Sequence, residues 1–543
     1  MNAERLLTHY EQIADAPDAI ARLRRFILDL AVRGKLVPQD PTDEPASELL
    51  KRIAEEKARL DRKERTKREP KNFNGGDEPI QMPKGWALAP LADLVTVLNG
   101  RAYKQNELLS AGTPVLRVGN LFTSDKWYYS TLQLDEDKYC AKGDLIFAWS
   151  ASFGPFIWDG EKVIYHYHIW KLPLHSESDL NKRYLYNFLL QKTREIKEAG
   201  HGISMVHMTK EKMEKLVVPV PPLAEQHRIV AKVDELMALC DRLEAARESR
   251  EAVRDRFAAA TFARLDAPYP EIVQADARFA LDALPALTAR ADQIKQLRQT
   301  IRNLAVRGKL VPQDANDEPA SVQYDAPELE GRLDTEIPPN WRWVRVEDVA
   351  EARLGKMLDK AKNKGRPYPY LRNTNVHWFD IRLDDLKTIP LDDAEFEEYQ
   401  LKRGDVLICE GGHGIGRTAV WGGGFENLVF QKALHRVRPS AHLDSRFFAN
   451  CCSVYFDAGI MQTYFTGVGI PHFTGKALAK LVFPLPPIAE QRRIVAKVDA
   501  LMALCERLEA SLTATVVTRR CLLDALLAEA LTPAEDRELE AAE

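Results

Sequence analysis

The sequence predicts an α+β protein. Two mixed α/β globular segments are joined by two pairs of long antiparallel coiled-coil-like helices, related by a pseudo-twofold axis. Three observations predict this. Lys215–Ala245 (KLVVPVPPLAEQHRIVAKVDELMALCDRLEA) and Lys480–Ala510 (KLVFPLPPIAEQRRIVAKVDALMALCERLEA) agree at 25 of 31 positions. Leu30–Asp40 (LAVRGKLVPQD) returns unchanged at Leu304–Asp314. Between these repeats, residues 81–222 and 336–487 mix alternating apolar residues with frequent glycine and proline, the pattern of short strands and turns.

Residues 1–80 form a helical region. Ile20, Leu23, Ile27 and Leu30 step by threes and fours, an a/d seam that wants a partner helix. Arg33 then falls in the last turn and Gly34 follows, a usual helix ending. Glu48–Glu69 is dense in Lys, Arg and Glu and reads as a solvated helix, and Pro70–Asp77 as a linker. Residues 81–222 are the first globular segment, in which Gly143–Phe147 (GDLIF) is a strand entered by a turn.

Residues 223–335 form a central helical region. Pro221-Pro222 ends an extended segment and admits a helix, and Glu225 suits the positive end of its dipole. The seam along it is Ile229, Val233, Leu236, Cys240 and Leu243, followed by a second seam at Ile294, Leu297, Ile301 and Leu304. Residues 336–487 repeat the globular segment, with GDVLI at Gly404–Ile408. Residues 488–543 repeat the long helix through Ile494, Val498, Leu501, Cys505 and Leu508. The repeat order predicts that the first long helix packs on the Ile294–Leu304 helix. By symmetry the C-terminal helix packs on the Ile20–Leu30 helix.

Composition narrows the function. The 543 residues exceed one ordinary domain, and no apolar run is long enough to span a membrane. The N-terminal MNAERLLTHYEQ resembles neither a signal nor a transit peptide. Seven cysteines include no CxxC pair, so neither zinc nor a disulfide framework is expected, and a reducing cytoplasm fits. Net charge is −4, yet residues 81–222 hold 17 Lys+Arg against 15 Asp+Glu, and residues 336–487 hold 20 against 18. Each globular segment is thus +2, the direction expected of parts that meet phosphates.

Catalytic signatures are lacking. Residues 411–418 (GGHGIGRT) approach a P-loop, but Arg417 replaces its lysine and the following AVWGGG cannot open the helix that a phosphate needs. His166 and His168 read as one face of a strand and lack a third metal ligand. Neither an adenine-methyltransferase motif nor a glycine-rich cofactor turn is found.

Binding signals are richer. Arg117 and Asn120 recur as Arg372 and Asn375, the residue types that read guanine and adenine bidentately. The competing reading is that residues shared by both copies hold the fold, while those that differ read sequence. Lys356, Lys360, Lys362, Lys364 and Arg366 crowd a loop-like stretch, matched by Arg101 and Lys104 in the first copy. Ser150, Ser152, Lys171, His413, Arg417 and Lys432 complete the candidate DNA contacts.

Two dissimilar globular segments, each ended by PLPPxxEQxxIV or a close variant leading into a long helix, together with AVRGKL twice, resemble the specificity (S) subunits of type I restriction-modification systems. The resemblance covers essentially the whole chain. It implies that each globular segment is a target-recognition domain reading one half of a split asymmetric DNA sequence. It also implies helices that space the halves and dock two methylation (M) subunits. The M subunits bring S-adenosylmethionine and methylate adenine, so this chain binds no cofactor and is not itself an enzyme. A restriction (R) motor-nuclease subunit joins some such assemblies. An AVRGKL element before the first recognition domain is a circularly shifted arrangement. Two other readings stay open: a self-contained DNA methyltransferase or nuclease, against which the missing motifs speak, and a coiled-coil adaptor, for which the globular segments are needlessly elaborate.

Overall fold

A computed structural model describes residues 15–64, 82–150, 153–199, 208–266, 273–320, 331–359, 363–467, 469 and 471–531. The linker Pro70–Asp77, Ser152, Lys360 and Lys362 lie outside the described residues. Two compact units emerge, residues 1–248 with 518–543, and residues 249–517. Each holds one copy of every repeated piece.

In the first unit the Ala19–Val32 helix lies along the start of the 44-residue helix Leu223–Asp266. The two run antiparallel: Arg24 bonds Asp241 (2.6 Å) and Glu244 (2.7 Å), and Arg247 donates to the Ala16 carbonyl (3.1 Å). Ile20, Ile27, Ile229, Val233 and Cys240 are buried between them, with Leu23, Leu236 and Leu243 packed at the edge. The 44-residue helix Ile488–Leu531 also reaches this unit, where Leu523 and Leu526 pack on Ala16 and Ala19, and Arg22 pairs with Asp524.

The second unit repeats the plan. The Ala291–Val306 helix buries Ile294 and Ile301 with Ile494, Val498 and Cys505, while Leu297, Leu501 and Leu508 are partly buried. Arg298 pairs with Glu509 at 2.8 Å. Leu304 is only half-buried, and Ala305 and Val306 fill the core beside it. On another side the same helix meets the end of Leu223–Asp266, through Leu297 beside Phe262 and Leu265, and through Asn303 donating to Asp266 (3.1 Å).

Each short helix therefore meets two long ones. The contacts that repeat order predicts are the terminal ones. The seam residues of each long helix instead face the short helix preceding it in the chain, because the globular domain between them begins and ends at the same place.

That place is a two-stranded antiparallel ribbon. Ala87–Pro90 pairs with Val217–Val220, and Arg342–Arg345 with Val482–Leu485. Beyond it lie two sheets. In the first domain one sheet runs Leu98–Asn99, Ile169–Lys171, Leu145–Ala148, Gly154–Ile157, all antiparallel. The other runs Tyr128–Ser130, Thr113–Leu116, Val163–Tyr165, Tyr139–Cys140, with a parallel central pair. The second domain repeats the first sheet with Ala350–Leu354, Leu434–Pro439, Val406–Cys409, Thr418–Val420, and three of the four strands of the other with Lys387–Leu391, Arg366–Leu371, Val429–Phe430. Helices Lys182–Ala199 and Ser445–Asp457 cover the sheets.

The charged helix departs from expectation. It spans Ala46–Glu64 and is not solvated all round. Ala46, Leu49 and Ile53 are buried in the core of the first globular domain with Leu91 and Leu94, and Lys57 bonds Asp93 at 2.8 Å. Its apolar residues step by three and four and so form one face, which composition alone hides.

The repeated motifs converge on one buried carboxylate per unit. Glu225 is 1% exposed and accepts from the Trp86 indole (3.0 Å) and from the Gln39 amide (2.7 Å). Glu490, also 1% exposed, accepts from Trp341 (3.0 Å) and Gln313 (2.6 Å). The neighbouring glutamines bond outwards: Gln226 to the Pro221 carbonyl (3.0 Å), Gln491 to those of Pro486 (2.8 Å) and His442 (2.9 Å). Arg228–Asp43 and Arg493–Asp317 close the arrangement at 2.6 and 2.5 Å. Gly34 and Gly308 turn at φ +67° and +71°, where a Cβ would meet Pro83 and Pro338 at 2.4 and 2.5 Å. First-turn placement of Glu225 and Glu490 is as expected, but the paired bonds to tryptophan and glutamine, not the helix dipole, explain their repetition.

Removing this carboxylate leaves two donors unpaired. Glu225→Ala and Glu490→Ala should each lower unfolding stability by about 2–4 kcal/mol, read as a fall in the urea midpoint followed by tryptophan fluorescence. Burial pushes both carboxyls above their ordinary range, against the pull of the tryptophan and glutamine donors. The folded chain then binds more protons than the unfolded one between the ordinary and the raised value. Stability from this source falls as pH rises through that window, and the fall should be smaller in the Glu225→Gln/Glu490→Gln variant.

Candidate nucleic-acid interface

In each globular domain the last strand of the second sheet, in chain order, turns sharply into the first sheet. Residues 166–168 make this turn between Val163–Tyr165 and Ile169–Lys171, with the Ile169 amide donating to the His166 carbonyl (2.9 Å). The two histidines thus sit on a tight turn, not on a strand face. Their rings are 4.9 Å apart. Among the described residues no group of three or more His, Cys, Asp or Glu is placed to hold a metal.

A glycine-led segment passes beside this turn. The Arg101 amide donates to the Tyr165 carbonyl (3.1 Å), and the Tyr167 amide to the Arg101 carbonyl (3.0 Å). Gly100 makes the approach possible, since a Cβ there would lie 2.4 Å from the His166 carbonyl oxygen. Trp149, at the end of the Leu145–Ala148 strand, donates its indole N–H to the Tyr167 carbonyl (2.8 Å) and its amide to that of His168 (3.1 Å). The His166 amide reaches the Leu116 carbonyl (2.9 Å), which brings in the Arg117–Asn120 turn. Burial, with His168 and Arg117 nearby, pushes the His166 imidazole down to about 4, so it is neutral at pH 7.

The second domain has the same bonds on different side chains. Lys356 donates its amide to Phe430 (3.0 Å), Lys432 to Lys356 (2.9 Å), Glu410 to Ala433 (2.9 Å) and Gln431 to Leu371 (3.1 Å). A Cβ on Gly355 would lie 2.2 Å from the Gln431 oxygen. Glu410 stands where Trp149 does and bonds His472 at 3.1 Å.

The candidate residues divide on this frame. Arg101, Arg117, Lys356, Arg372, Lys432 and the hairpin bearing His413 and Arg417 gather around the turns. The hairpin joins Val406–Cys409 to Thr418–Val420 and carries no helix start, and Gly411 accepts from Asn373 (3.4 Å). Ser150 is half-buried in the matching connection of the first domain. Lys104, Lys364, Arg366, His413 and Lys432 are exposed. Arg353 and Arg366 lie on strands, so the lysine-rich stretch is a loop only between them.

Several candidates are engaged internally. Asn375 is 2% exposed; it accepts from the Arg372 amide (3.0 Å) and donates to the carbonyls of Arg382 (3.0 Å) and Asp385 (3.3 Å). Asn120 does the same for Arg117, Ser124 and Lys126. These asparagines hold a turn rather than presenting an amide to adenine. Arg372 pairs with Asp385 (2.5 Å), Arg101 with Glu107 (2.9 Å) and Lys356 with Glu395. Lys171 is mostly buried between Asp144 (2.8 Å) and the Tyr139 carbonyl (2.9 Å), and so serves the sheet. Tyr103, Trp149, Tyr167 and Gln431 were not singled out by charge or motif. Gly100 and Gly355, at the common offset of 255, were the available signal.

Lys171→Met should lower stability by about 1–2 kcal/mol yet leave the salt dependence of DNA binding unchanged. Lys364→Ala should leave stability unchanged and flatten the slope of log K against log salt by about one. Fluorescence anisotropy across a salt series checks both.

The family model for the type I restriction modification DNA specificity domain matches residues 83–251 and 338–517. The chain is 29% identical to the type I restriction enzyme EcoAI specificity subunit of Escherichia coli, over 93% of either protein. It is 26% identical to the EcoEI specificity subunit of Escherichia coli, over 94% of either. Among solved structures, it is similar to the HsdS subunit from Thermoanaerobacter tengcongensis, with 19% identity, TM-score 0.43, and coverage of 82% of this chain and 97% of that one. With both recognition domains matched by that family model, over more than half of the sequence, the chain belongs to the type I restriction-modification DNA specificity family and is a DNA sequence-specificity subunit.

Proposed function

We propose that each recognition domain reads one half of a bipartite, asymmetric target in double-stranded DNA. The long helices set the gap between the halves and dock two methylation subunits. Those subunits bring S-adenosylmethionine and carry out adenine methylation, and this chain supplies none of the chemistry and binds no cofactor. A restriction subunit joins the same assembly when cleavage occurs, and the assembly works in the cytoplasm.

One observation carries this reading. Both domains keep the strand order of one whole sheet and of three strands of the other, the same turn bonds and a buried carboxylate at their base, while their exposed turn residues differ. A duplicated fold with unlike surfaces suits two unlike half-sites. The continuous 44-residue helices, each about 66 Å long at 1.5 Å per residue, support a spacer role. Among the described residues no helix is long and apolar enough to cross a membrane.

Radiolabelled S-adenosylmethionine tests the division of labour. The purified chain with genomic DNA should transfer no label, its methylation subunit alone should transfer little, and the two together should label DNA strongly. Transfer by this chain alone would overturn the proposal.

A further inference from the structure

We infer that the tight turn at residues 166–168, and its counterpart at 431–433, is the base-reading element of each recognition domain, and that the side chains exchanged there set the two different half-sites. The inference rests on the reading of the two domains as half-site readers, and assigns which residues do the reading.

The backbone on either side of this turn is fixed in the same way in both domains. Gly100 and Gly355 bring a neighbouring segment so close that any Cβ would strike the turn's own carbonyl. The residues after those glycines, Arg101 and Lys356, bond the turn in matching pairs. Yet the turn itself reads His-Tyr-His in one copy and Gln-Lys-Ala in the other. A backbone held this tightly beneath unlike side chains is a stage for interchangeable contacts. Were the turn structural, its side chains would be repeated like those of Glu225 and Glu490.

The exchanged side chains differ in chemistry that DNA can register. Tyr167 is 39% exposed, with its ring 3.9 Å from that of His168 and 6.1 Å from that of Trp149. This is an aromatic surface suited to a thymine methyl or an acceptor on a base edge. Gln431 and Lys432 are the types that read adenine N6/N7 and guanine O6/N7. Lys432 is exposed. Trp149 positions the turn through its indole, which clamps the Tyr167 carbonyl, whereas Glu410 reaches the turn through its amide at Ala433 and spends its carboxylate on His472.

The test uses the complete complex of this chain with its methylation subunit, and maps methylated sites by sequencing. Replacing His166-Tyr167-His168 with Gln-Lys-Ala should change one or two adjacent bases of one half-site and leave the other half and the gap untouched. Lys432→Met and Gln431→Ala should instead relax the other half-site, lowering preference for the native base about ten- to a hundredfold. An unchanged motif in all three variants, with methylation at normal levels, overturns the inference while leaving the specificity role standing. Should the triple exchange abolish methylation, the two single variants decide. Relaxation confined to one half-site supports the inference; uniform loss at every sequence, or no loss, contradicts it. Loss of all motif dependence in the unmodified complex would instead overturn the reading on which it rests.

Discussion

A carboxylate buried where three repeated pieces meet holds each half of this protein together. Glu225 joins the Gln39 amide of the AVRGKLVPQ element, the Trp86 indole at the entry to the recognition domain, and the start of the long helix. Glu490 does the same through Gln313 and Trp341. An unpaired carboxylate in such a place would be costly, so all its partners must arrive together. The site thereby fixes where a recognition domain enters and leaves the helices. It explains why sequences so far apart in the chain repeat in step, since each supplies one side of the same contact. The prolines before the helix serve it too: Gln226 and Gln491 bond the carbonyls of Pro221 and Pro486 and so orient the adjacent glutamate.

With the base fixed, the distal surface is released to vary. The sheets of both domains reach the same turn by the same hydrogen bonds, and the side chains above it differ. Many basic residues nearby are already engaged, Lys171 with Asp144, Lys356 with Glu395 and Arg372 with Asp385. Such pairs explain how domains of nearly balanced charge serve DNA. The engaged cations stiffen this surface, and a small exposed set is left for the phosphate contacts proposed above. Sequence preference then comes from base edges more than from bulk charge.

Much of this was legible in the sequence, because exact repetition reports shared contacts. The seams at Ile229–Leu243 and Ile494–Leu508 pack as their spacing indicates, and Cys240 and Cys505 are core residues. The partner that each seam meets was less legible, because repeat order gives adjacency in the chain and not the point to which a recognition domain returns. The Ala46–Glu64 helix looked solvated because its charge density masks a face of Ala46, Leu49 and Ile53. Asn120 and Asn375 looked like base readers because a residue type suits both a base and a turn, and only the bonds tell which. The turn at 166–168 was less legible, because its side chains differ from those of its counterpart at 431–433 and only the matching backbone bonds relate the two.

The account stands or falls on whether this chain confers DNA sequence choice. The direct measurement is genome-wide adenine methylation in cells that express the chain together with its methylation subunit, set against cells expressing that subunit alone. The account predicts a split, asymmetric motif of two constant blocks at a fixed gap, present only when this chain is present. An identical methylation pattern in both, with the two proteins soluble and co-purifying, would contradict it.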